Sequence, residues 1–212
     1  MGTAKVTLSP KERDLVTDPT WILTKNGIIQ KVYALFGSLS TAYEEAIGNC
    51  QLNNQRELLA LSPKISKGEQ YEGLPWVMLD QPRHYKKSES FGIRTFFWWG
   101  NSFSITLQLT GRFKEMYAEA IGNYFGDPED EKSPAGLGSG WLAGIGEDEW
   151  QHHFREDNYV PVESVRTTLA DHPFIKLTKR YPLSEWDNME ELLLGGFREI
   201  LCMLDYQALP KR

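Results

Sequence analysis

The chain is poor in cysteine. Cys50 and Cys202 are its only two, and no Cys-x-x-Cys pair exists. Isolated thiols suit a reducing compartment, where a buried Cys behaves as a small apolar residue. No apolar run approaches the ~20 residues that cross a bilayer as a helix. Residues 1–10 lack the apolar stretch of a secretory signal. These absences set the expectation of a cytoplasmic chain with no membrane partner. Positive charge is also in deficit: 23 Lys and Arg face 29 Asp and Glu, a net charge of −6. That balance opposes a nucleic-acid partner, which requires a basic face. The one basic cluster, Arg83-His84-Tyr85-Lys86-Lys87, lies between turn signals and reads as a solvated loop. Catalytic signatures are missing too. There is no Gly-x-Ser-x-Gly elbow, no His-Glu-x-x-His and no Gly-Lys-Ser/Thr, and neither Cys has the surroundings of a catalytic thiol. The families that depend on those motifs are excluded, and no cofactor or metal is assigned.

Aromatic side chains are plentiful, with seven Trp, nine Tyr and ten Phe in 212 residues. Rings of that size bury large areas, so one well-filled core spanning 1–212 is expected. Ser9-Pro10-Lys11-Glu12 is a capping box that starts a helix over 10–17, and Asp18-Pro19 repeats the signal. From there Trp21, Ile22, Ile28, Ile29, Val32, Leu35, Phe36, Leu39, Tyr43, Ala46 and Ile47 recur in steps of three and four. That stripe predicts a long helix over 19–48 that stops at Gly48-Asn49. The segment Tyr43–Asn49 is echoed by Tyr117–Asn123, which reads as two helices sharing one type of stop.

Between 64 and 110 the pattern becomes strand-like, with strands expected over 64–67, 74–80 and 91–109. Gly100-Asn101 between two β-rich runs predicts a two-residue hairpin turn. That turn would set Trp99 opposite Ser102 and Arg94 opposite Leu107. One face would then carry Arg94, Phe96, Trp98, Phe103, Ile105 and Leu107. The other would carry Ile93, Thr95, Phe97, Trp99, Ser102, Ser104, Thr106 and Gln108. A second amphipathic helix is expected over 111–124. Residues 126–147, rich in Gly and acids, read as a long loop. Strands follow at 150–155 and 174–179, with a short helix at 162–169. A last helix, over 185–205, is capped by Ser184. Strands segregated from helices predict an α+β fold: a mostly antiparallel sheet of about five or six strands with long amphipathic helices on one face.

Several groups invite a chemical reading. Arg94 falls on an apolar face and stays charged, so it needs an acid, carbonyls or an anionic ligand, and Asp80 is the partner expected for it. Phe97, Trp99 and Thr106 combine rings with a hydroxyl, the makings of a small-molecule pocket or of an interface. Asp80, Arg83 and His84 gather an acid, a base and an imidazole around an Asp-x-Pro turn. His152-His153 lies amid Glu147, Asp148, Glu149, Glu156 and Asp157, yet neighbouring residues of a strand point to opposite faces and cannot readily share an ion. Gly136-Leu137-Gly138-Ser139-Gly140 has the composition of a phosphate loop without the strand and helix that such a loop needs.

The expectation is a non-enzymatic domain that binds a small molecule or a protein through the hairpin face. A small hydrolase-like or metal-assisted enzyme using Asp80, Arg83, His84 and His152 or His153 is the alternative. A structural homodimer closed by the same face is the third.

Overall fold

The structure, a computed structural model, describes residues 6–52, 55–126 and 140–206. Helix α1, Pro10–Thr17, is closed by the expected capping box: Ser9 accepts from the Glu12 amide while Glu12 reaches back to the Ser9 amide. Asp18 caps α2, Pro19–Gly48, whose buried stripe is Ile29, Val32, Phe36, Leu39, Tyr43 and Ile47. A short α3, Gln55–Leu59, precedes a four-strand meander: β1 Lys64–Tyr71, β2 Leu74–Tyr85, β3 Ser90–Trp98 and β4 Ser102–Thr110. Next come α4, Arg112–Phe125, then β5, Trp141–Gly144, β6, Tyr159–Pro161, β7, Phe174–Pro182, and α5, Met189–Leu204.

The seven strands form one antiparallel sheet in the order β1-β2-β3-β4-β7-β5-β6. Helices α2, α4 and α5 pack on one face of it. This is the α+β arrangement expected, one strand larger. Phe91, Ile93 and Phe97 of β3 and Phe103, Ile105, Leu107 and Leu109 of β4 enter that helix layer. The one hydroxyl on this side of β3, Thr95, meets the Tyr43 hydroxyl at 3.0 Å, and the Tyr43 ring stacks on Phe197 of α5 at 3.8 Å.

Several local expectations are corrected. The β3–β4 connection holds three residues, Trp99, Gly100 and Asn101, and Trp98 rather than Trp99 pairs with Ser102. Arg94 therefore faces Thr106, not Leu107. The whole pairing is one residue out of step with the expected register, and every cross-strand neighbour changes face. Residues 150–155 form no strand, whereas 141–144, read as loop, is β5. Gly136 to Ser139 lie outside the described residues. The short helix expected at 162–169 is a single 3-10 turn, Val162–Ser164. Ser184 is no cap: Leu183–Asn188 form a 3-10 segment, and α5 begins only at Met189. Nor is Gly122-Asn123 a stop, since α4 runs on to Phe125.

Candidate functional site

The opposite face of the sheet is where polar groups collect. Asp80 from β2, Arg94, Phe96 and Trp98 from β3, Ser102, Ser104, Thr106 and Gln108 from β4, and Lys176 and Thr178 from β7 are all buried there. What buries them is an irregular strap, residues 145–158, that joins β5 to β6 and crosses the face. Ile145 donates to the Asn158 carbonyl at 2.9 Å, which closes the base of the strap. Asn158 Nδ2 donates to the His153 carbonyl at 2.7 Å. Within it, Asp148 turns the chain by accepting from the Trp150 amide at 2.9 Å.

Arg94 lies at the centre. Its Nε and Nη2 donate to the two Asp80 oxygens at 2.7 and 3.1 Å, the bidentate pairing that suits a guanidinium. The expected partner is therefore present. Its Nη1 donates to His152 Nε2 at 2.9 Å, so the strap is tied to the sheet through the same side chain. The rings of Tyr85 and Trp150 stand 5.8 and 5.6 Å from the guanidinium carbon. Burial first, then the positive charge of Arg94, holds His152 well below the usual histidine range, so it is neutral. Burial and the neighbouring Asp80 push the Tyr85 phenol up, keeping it protonated.

Two further ties hold the strap. Lys176 Nζ donates to the carbonyls of Glu149, at 2.8 Å, and of Gln151, on either side of Trp150. Gln108 Nε2 donates to the Glu149 carboxylate at 3.0 Å. Burial, followed by repulsion from Arg94, brings the Lys176 amine down to about 7. Below, Thr106 and Thr178 share a 3.0 Å hydroxyl contact, and Thr178 donates to Tyr159 at 3.2 Å.

Beside this network the strap and the β1–β2–β3 end of the sheet frame a cleft of about 470 Å³ that is open to solvent. Tyr71, Trp76, Met78, Phe96, Trp150 and His152 line it, with Gly68, Glu69 and Gln70 of β1 at the rim. The Tyr71 hydroxyl accepts from the His152 amide at 2.7 Å. Two strand glycines make room for the rings. A Cβ on Gly68 would stand 2.6 Å from the Trp76 indole, and one on Gly92 would stand 2.0 Å from the Tyr85 oxygen. The register shift of β2 between Asp80 and Arg83 places one extra residue on that strand. It turns His84 toward the helix side and Tyr85 toward Arg94.

The sequence candidates are thus divided. Asp80, Arg94 and Thr106 lie together under the strap, and His152 reaches Arg94 from the strap itself. Phe97 and Trp99 are on the helix side, where Phe97 packs against Phe103 and Trp186. The face expected to join Phe97, Trp99 and Thr106 does not exist. Arg83 donates to the Ser62 carbonyl at 2.7 Å. His153 is half-buried, and its Nδ1 has no partner among the described residues. His84 stands 3.1 Å from Glu89 and 3.6 Å from Glu57. Those three side chains bring ligand atoms within 4.8 Å of one another. The same two carboxylates also hold Arg112, and Arg112, Lys86 and His84 together bring Glu89 down to about 2. An ion there would have to displace the arginine.

Unforeseen contributors are Tyr71, Trp76, Tyr85, Trp150, Tyr159 and Lys176. A signal existed for three of them: Gly68, Gly92 and Gly144 sit in strands, and the ring or stem of Trp76, Tyr85 and Lys176 lies over each in turn. A larger groove, about 720 Å³, runs between the C-terminal ends of α2 and α5, with Glu45, Arg198 and Asp205 on its walls. No ring lines it among the described residues, and its one shifted group, the Cys50 thiol, is pushed up by burial first and then by Asp205. It therefore lacks the convergent rings and placed polar groups of a ligand site. No helix among the described residues is long and apolar enough to cross a membrane. No family model, curated protein or solved structure matches the chain.

Proposed function

We propose that this protein binds a small planar molecule in the cleft beneath the strap. The observation that carries this reading is the convergence of four rings, Tyr71, Trp76, Phe96 and Trp150, around about 470 Å³ of space. Behind them lies a buried polar network that fixes the wall. A mostly apolar hollow with a few placed polar groups is the usual form of a ligand site. The network also favours binding over turnover. Arg94 occupies both the Asp80 carboxylate and the basic nitrogen of His152, so neither is free to act as a general base.

The test is a ligand-observed NMR screen of fused-ring fragments at millimolar concentration, read against wild type and Trp76→Ala. Fragments should compete for one site, and the substitution should weaken them about tenfold or more. Fragments that are indifferent to Trp76, or that collect in the α2–α5 groove, would refute the proposal.

A second reading has its own observation. Helix α1 buries no residue, and Leu15, Val16, Trp21, Ile22 and Leu23 of α1 and the start of α2 are all exposed, Leu23 at 63%. An apolar arm of this kind suits a second copy of the chain. Light scattering would then give twice the monomer mass for wild type and the monomer mass for Trp21→Asp/Leu23→Asp. A monomeric wild type removes this reading.

A further inference from the structure

The hydrogen bonds around the cleft restrict what can occupy it. A guanidinium has donors only, so the 2.9 Å contact between Arg94 Nη1 and His152 Nε2 makes Nε2 the acceptor. A neutral imidazole that accepts on one nitrogen carries its proton on the other. The proton of His152 is therefore on Nδ1, and that N–H has no acceptor among the described residues. The same logic applies to Tyr71. Its oxygen accepts from the His152 amide, which leaves the O–H hydrogen to donate, again with no acceptor among the described residues. Both side chains line the one cleft.

Charge acts in the same direction. Asp80 holds Arg94 on the Nε and Nη2 side, and His152 meets the Nη1 side. The buried ion pair is thus a dipole whose positive end bears on the imidazole. An imidazole that accepts from a cation is a stronger donor at its far nitrogen. The carboxylate nearest the rim, Glu69, is paired with Lys25 of α2.

We infer that the ligand is a planar aromatic compound bearing a carboxylate or carbonyl, with its ring among Trp76, Phe96 and Trp150 and its acceptor oxygen on His152 Nδ1 and the Tyr71 hydroxyl. This rests on the cleft being a ligand site. It adds a polarity: the pocket donates, and cationic or donor-only ligands are turned away.

Three probes of one shape decide the matter: naphthoate, naphthamide and naphthylmethylammonium, titrated by calorimetry and tryptophan quenching. Naphthoate should bind about tenfold or more tighter than the ammonium, with the amide between, as expected for a hydrogen bond to a charged acceptor. Imidazole nitrogen shifts in the unliganded protein should show His152 protonated at Nδ1 alone, and that resonance should move on adding naphthoate. Tyr71→Phe should shrink the preference several-fold while the ammonium affinity stays as it was. Equal affinities, a preference for the ammonium, or a proton on Nε2 would overturn the inference and leave the cleft reading standing. Failure of all three probes to bind would bring down the cleft reading itself.

Discussion

A guanidinium taken out of water must be given both countercharge and acceptors, and Arg94 obtains these from Asp80 and His152. Truncating it leaves the Asp80 carboxylate buried without a countercharge, with the Tyr85 hydroxyl at 3.4 Å as its remaining donor. Arg94→Ala should therefore cost about 3–5 kcal/mol in a denaturant melt. Arg94→Met/Asp80→Asn should recover much of that loss, because the stranded charge is gone. Equal losses for the single and double variants would show that packing, not charge, is what matters there. Gly68 makes a second prediction. A methyl on it meets the rigid Trp76 indole at 2.6 Å, so Gly68→Ala should cost about 1–3 kcal/mol and reset Trp76 emission. The Arg94–Asp80 pair could be read in the sequence, since an arginine flanked by rings needs a partner. The glycines could have disclosed Trp76 and Tyr85 as well. Their absent side chains mark where something large crosses a strand, though not what crosses it.

At the scale of elements, the strap depends on an amine. In water the Lys176 side chain gives up its proton near 10.5, and in the folded protein near 7. Between those values the unfolded chain holds the extra proton, so stability rises as pH climbs through that window and is flat below it. Denaturant midpoints should follow that slope in wild type, and Lys176→Met should flatten it. The same variant strands the Glu149 and Gln151 carbonyls, so amide exchange should speed up across 149–153 while α2 and α5 stay protected. Unchanged exchange in the strap would show that Lys176 does not hold it.

The hairpin shows why register escaped the sequence. β4 alternates cleanly, Ser102-Phe103-Ser104-Ile105-Thr106-Leu107, but Phe96-Phe97-Trp98-Trp99 puts rings on both faces. Alternation fixes β4 and leaves β3 free to slide by one. The helix layer decides between them, because only the observed register sets Phe103, Ile105 and Leu107 beside Phe97, Thr95 and Ile93 against α2 and α5. Helices were legible because their stripes are long. The strap was not, because it has no period and is held by side chains far away in sequence.

Over the whole molecule, the sheet separates two environments: a dry helix layer and a polar face roofed by 145–158. One of the two edge strands, β1, pairs only with β2 among the described residues, and its register shifts between Gly68 and Tyr71. It also carries Lys64 and Lys67, which point to opposite sides of the strand. A foreign strand laid along it would find its ladder broken partway and an ammonium at either flank. The irregular stretch at the rim of the cleft thus also guards this edge against edge-to-edge polymerisation. Concentrated, agitated solutions should stay clear of dye-binding fibrils for as long as β1 keeps its kink and its charge.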